Sequence, residues 1–157
     1  MDPTTSMREH AWRYFELHAN QRMATFNFFL VASGAIAAGL ATTLQGTQRV
    51  SSLGVALGIL LMLVAFISWK LDQRVAFLVK HAERALSETE QAFPADAAAC
   101  LFKYEPHVTA QARNRSSFLT KHWTYGRSFR FVFWVVGLFG LGGAVLSCLK
   151  FAGVISW

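Results

Sequence analysis

The sequence predicts an all-α integral membrane protein: three transmembrane helices with long cytoplasmic helical extensions, assembled as an oligomer. Three observations predict this class. Residues 23–44, 53–69 and 129–149 are apolar runs, and Arg130, at the mouth of the third, is their only charged residue. The chain is 54% hydrophobic over its 157 residues, with a mean hydropathy of +0.33. Its Lys and Arg residues also fall almost entirely on one side of the three runs.

A bilayer core about 30 Å thick needs roughly 20 helical residues at 1.5 Å each. The first and third runs, 22 and 21 residues, meet that length, and the 17 of the second are extended by the small and polar residues 45–52. Four segments follow: 1–22, a cytoplasmic amphipathic helix; 23–69, a transmembrane hairpin; 70–128, a cytoplasmic stalk and basic region; and 129–157, the third span with an external C-terminus. The soluble segments are too short to sustain an independent core.

Of the 15 Lys and Arg residues, all but Arg49 and Lys150 precede the first span, lie between the second and third, or sit at the mouth of the third. The positive-inside rule then puts the N-terminus in the cytoplasm and the C-terminus outside. The first apolar run starts at residue 23 and is too long for the core of a secretory signal. Cys100 and Cys148 read as two reduced thiols.

The elements follow in order. Trp12, Phe15, Ala19 and Met23 recur at helical spacing, and neither Pro nor Gly interrupts residues 8–33, so the first helix runs unbroken from cytosol to mid-membrane. The second continues past Trp69 along Leu71, Val75, Leu78, Ala82 and Ala85, a coiled-coil seam ending near Glu90, before Pro94. Residues 95–116 are the least patterned. Trp123, Tyr125, Trp134 and Trp157 suit interfacial belts. Small residues make close-approach faces: Ser33, Ala37 and Ala41 on the first span, Gly54 and Gly58 on the second, Gly140, Gly143, Ala144 and Ser147 on the third.

Catalytic chemistry is not legible. No span carries an ionisable residue in its interior, which speaks against a proton relay or ion-coupled transporter. Ser33, Thr42, Thr43 and Ser68 are expected to bond back to their own helices. The five histidines show no ligand spacing, so no metal or cofactor is predicted, and no nucleophile–base set marks an enzyme. Residues 70–130 hold ten Lys or Arg against six acids, interleaved with aromatics. Such a layer first suits lipid head groups, and after them a nucleotide or single strand. Arg113, Arg115 and Lys121 are the candidate ligand-binding cluster, with a second on the stalk at Lys70, Arg74, Lys80 and Arg84. Arg22 and Asn27 on the first helix and Asp72 and Arg74 on the second occupy matching depths, and are the candidate gating residues.

The run Tyr14-Phe15-Glu16-Leu17-His18-Ala19-Asn20-Gln21-Arg22, then Phe26-Asn27-Phe28-Phe29, resembles small bacterial membrane proteins linked with anti-phage defence. Trp69-Lys70-Leu71-Asp72-Gln73-Arg74 fits the same pattern. The nearest type is the membrane effector of a Hailong-type system. The resemblance covers residues 12–85. It implies a gated homo-oligomeric pore paired with a nucleotidyltransferase whose DNA oligomers hold it shut, and membrane depolarisation in abortive infection. The rival reading is a non-conducting scaffold or accessory subunit that anchors a cytosolic partner.

Overall fold

The computed structural model describes residues 3–90, 102 and 125–155. Three long helices carry them: α1 (Pro3–Gln45), α2 (Ser51–Glu90) and α3 (Tyr125–Phe151), with a single 3-10 turn, Gln48–Val50, between the first two. Each is long and apolar enough to cross a bilayer. The class is therefore all-helical, as the apolar runs dictate. The chain divides into two units, one of Met1–Arg22 with Gln73–Thr124, the other of Met23–Asp72 with Tyr125–Trp157.

In the apolar unit the three helices pass up, down and up, and two different contacts hold them. Towards Met23 the contact is aromatic. Phe26 of α1 stacks on Phe129 of α3 at 3.9 Å, and Phe29 meets Phe133 edge-on at 4.7 Å. Phe29, Phe129 and Phe133 are buried together with Ala65 of α2. Such ring pairs add roughly 0.5–1.5 kcal/mol beyond their buried area.

Towards the α1–α2 loop the contact is backbone on backbone. A Cβ on Gly58 would stand 2.6 Å from the Ala144 amide nitrogen and 2.7 Å from the Gly140 carbonyl oxygen. One on Gly140 would stand 2.8 Å from the Gly58 carbonyl oxygen and 2.9 Å from the Met62 nitrogen. Neither glycine tolerates a side chain. The close-approach faces on α2 and α3 are thus the faces in contact, and Gly143 in turn is filled by the Leu40 side chain of α1.

The buried positions of α2 are Ser51, Gly54, Gly58, Leu61, Ala65, Ser68, Asp72, Val75, Val79, Ala82 and Leu86. Their spacing alternates three and four without a break, the register of a left-handed coiled coil. The seam expected along Leu71, Val75, Leu78, Ala82 and Ala85 is corrected by this. Only Val75 and Ala82 of that set are buried, while Leu71 is exposed and Leu78 and Ala85 are half-buried. The reason is register: Gly58 and Gly54 fix which side of α2 faces its neighbours, and the 3-4 repeat carries that side down the helix. On α1, similarly, Ala41 is exposed, and the positions turned inward are Phe29, Ser33, Leu40 and Thr43.

The extension unit pairs the first turns of α1 with the last turns of α2. Ser6, Met7, His10 and Ala11 face Ala85, Glu88 and Thr89 across a groove of about 630 Å³. Trp12 and Phe15 both pack edge-on against Phe102, whose amide donates to Glu90 Oε1 at 3.4 Å. Trp12 remains about half exposed, as does Met23, so the inward face of this stretch follows Ala11, Phe15 and His18 rather than Trp12 and Met23. The Arg13–Glu9 ion pair, 2.6 Å and one turn apart, is solvent-exposed and worth about 0.3–0.5 kcal/mol.

Gly58→Val should destabilise the apolar unit by about 1–3 kcal/mol, because overpacking here meets backbone that cannot yield. Gly137→Ala should be neutral or slightly stabilising, since its Cβ would lie 3.6 Å from the Ala65 methyl, an ordinary contact. Thermal unfolding in detergent, followed by size-exclusion profile, checks both.

Candidate functional site

The α2 seam leaves the opposite side of the helix outward in the extension unit. Arg74, Phe77, His81 and Arg84 are exposed there, spaced three, four and three residues apart, within about 80° of one another at 100° per residue. Phe77 is 70% exposed, and its ring lies parallel to that of His81 with centroids 6.5 Å apart. Lys80 is exposed beside this line. The pattern is chemically specific: two guanidinium forks flanking two flat rings. Guanidinium binds phosphate oxygens in bidentate fashion, and exposed rings offer stacking surface to nucleobases. Head-group phosphates would satisfy the cations too, but would leave the ring pair unused. One turn earlier, in the apolar unit, Lys70 Nζ sits over the rings of Trp69 (4.9 Å) and Phe66 (5.7 Å), a position suited to a membrane boundary.

The candidate gating residues divide between the two units. Arg22, half-buried, and Arg74, exposed, belong to the extension unit; Asn27, exposed, and Asp72, buried, belong to the apolar unit. Asp72 stands on the α2 seam between Ser68 and Val75. The Arg113, Arg115 and Lys121 cluster lies outside the described residues, as do Trp123 and Trp157.

Sequence reasoning misses one working residue. Lys150 counts as a stray charge on the minority side, yet it is only 5% exposed. Its Nζ donates to the carbonyl oxygens of Leu44 (2.6 Å) and Gly46 (2.9 Å), at the C-terminal end of α1. A cation at a helix C-terminus is also favoured by the macrodipole. Gln48 Nε2 ties the same loop to the Phe151 carbonyl at 3.0 Å. A signal is present: Lys150 is three residues beyond Ser147 and seven beyond Gly143, in register with the packing face of α3. The hydroxyls behave as expected for three of four residues, with Ser33 donating to the Phe29 carbonyl, Thr42 to Gly39 and Thr43 to Leu40.

Three apolar helices with close-packing faces are the features of an oligomeric membrane protein. A comparison with protein-family models matches residues 7–149 to the octameric membrane protein family. The chain belongs to that family. It is a multi-pass, oligomeric membrane protein. Among curated proteins it is 39% identical over 144 residues to CD-NTase-associated protein 19 of Escherichia coli, covering 89% of each chain. No solved structure matches it.

Lys150→Met should cost about 1–3 kcal/mol, since it removes two charge-assisted hydrogen bonds to half-buried carbonyl groups while keeping most of the side-chain volume. Lys150→Arg should retain most of the stability. Melting temperatures of the detergent-solubilised protein test the pair.

Proposed function

We propose that this protein is a CBASS-type anti-phage effector of the bacterial inner membrane, a homo-oligomeric gated pore that dissipates the membrane potential when a nucleotide or oligonucleotide signal is sensed. The observation that carries the reading is its 39% identity, over 89% of each chain, to a CD-NTase-associated protein, together with its membership of an octameric membrane family. A partner nucleotidyltransferase supplies the signal. The Hailong-type resemblance shares this layout, with DNA oligomers that hold the pore shut, so the direction of the response separates the two systems.

In this reading the N-terminus and residues 70–128 are cytoplasmic, the C-terminus is periplasmic, and the ligand meets a basic layer. The exposed Arg74, Phe77, His81 and Arg84 line and the Arg113, Arg115 and Lys121 cluster bind phosphates and bases. Symmetry turns each into a ring. Binding shifts a closed–open equilibrium only as far as the ligand's affinities for the two states differ. Arg22, Asn27, Asp72 and Arg74, at the cytoplasmic mouth of the spans, transmit that difference as gating residues.

Purified protein in liposomes should pass ions, with a flux altered by a short single-stranded oligonucleotide or a cyclic oligonucleotide. Flux that rises with the ligand fits the CBASS-type reading, and flux that falls fits the Hailong type. Absence of flux under all conditions from a monodisperse oligomer would replace the pore with a scaffold. Phe77→Ala with Arg84→Glu should weaken the response. It should also lower the salt slope of binding by roughly 0.7 for each single-strand phosphate that is no longer neutralised.

A further inference from the structure

The outward faces of the three apolar helices differ in kind. In its membrane segment α2 presents Leu53, Ile59, Leu60, Leu63, Phe66 and Ile67, each at least 45% exposed. On α3 the outward residues are Phe131, Trp134, Val135, Leu138, Phe139 and Val145, each at least 48% exposed. Large aliphatic and aromatic side chains are what hydrocarbon accommodates. Over residues 32–45 the exposed residues of α1 are all small or polar, and its large hydrophobic ones, Ile36, Leu40 and Leu44, are buried or half-buried.

Apart from Met23, Phe28 and Leu30 near its other end, much of what α1 exposes in the apolar unit forms a second seam of its own. Asn27, Val31, Gly34, Ala38, Ala41 and Gln45 are all exposed and spaced four, three, four, three and four residues apart. That is coiled-coil register again, on a side with no partner among the described residues. A Cβ on Gly34 meets nothing within 4 Å. Lipid gains little from such a face: methyl groups and bare backbone offer small apolar area, and carboxamides in hydrocarbon are costly. A neighbouring helix gains more, because small residues let backbones approach closely. In a family defined as octameric, the partner of fitting chemistry is a second copy of this chain.

We propose that α1 forms the inner ring of the octamer, its 27–45 seam turned towards the axis and neighbouring α1 helices, with α2 and α3 outside. Val31, 74% exposed, is the one large apolar residue on the seam, and its eightfold ring is the apolar constriction. The constriction rests on the pore reading; the ring does not. Helices packed about 8–10 Å apart set eight axes on a circle of roughly 10–13 Å radius. Subtracting a helix radius of about 5–6 Å leaves an opening wide enough for hydrated ions. It is lined with Gly, Ala and carboxamide groups, and pinched where Val31 projects and excludes water.

The test uses full-length protein with Cys100→Ser and Cys148→Ser, adding Ala38→Cys, Leu63→Cys or Leu138→Cys singly. Each variant is first confirmed as an oligomer by size exclusion. In membranes a short bis-maleimide should link Ala38→Cys protomers into covalent dimers and leave the other two monomeric on denaturing gels. Cross-linking at Leu138 or Leu63 with none at Ala38 would overturn the α1 ring. This readout needs no conductance, so a linked but non-conducting octamer would refute the pore while upholding the ring. In liposomes, Val31→Ser should raise ligand-free leak by about tenfold relative to Leu138→Ser. Equal leak in the two, with Ala38 still cross-linked, would overturn the constriction.

Discussion

Direct contact between the backbones of α2 and α3 at Gly58 and Gly140 is the constraint on which the rest of the apolar unit depends. Without side chains at those two positions, carbonyl oxygen and amide groups of one helix approach the other at distances a Cβ would forbid. In a bilayer no hydrophobic force drives helices together, so fit of this kind supplies much of the attraction. The contact also sets rotation. Once Gly58 faces α3, the 3-4 repeat assigns every later residue of α2 to an inner or outer side.

The two ends of the apolar unit are held by different chemistry. Near Met23, Phe26, Phe29, Phe129 and Phe133 interlock as rings. Near the α1–α2 loop the helices are closer and the groups polar: Lys150 satisfies carbonyl groups at the end of α1, and Gln48 binds Phe151. A buried lysine is tolerated there because its ammonium meets carbonyl oxygens in place of water. That end has a fixed polar network, whereas the aromatic end depends on side-chain packing.

The candidate site is partly legible in the sequence. Arg74 and Arg84 stand out as stalk cations from charge alone, but Phe77 and His81 join them only once the outward side of α2 is known. A helical repeat can be read from several starting residues, and Leu71, Val75, Leu78, Ala82 and Ala85 fit a 3-4 series as well as the true one does. What discriminates is the partner surface, which is distant in sequence. Lys150 escapes a sequence reading for the same reason: its acceptors, Leu44 and Gly46, lie more than a hundred residues upstream.

The sequence by itself determined the all-helical class, the three spans, the continuity of α1 and α2 well beyond the bilayer, and which small residues permit close approach. Those properties follow from local composition and from the length a bilayer demands. Tertiary structure alone decided which of several equivalent stripes on each helix turns inward, that Gly58 meets Gly140 and Ala144, and that a lysine at the end of α3 closes the end of α1. It also left α1 with a small-residue face that has no partner among the described residues. These are matters of rotation about helix axes, which periodicity leaves free and packing fixes.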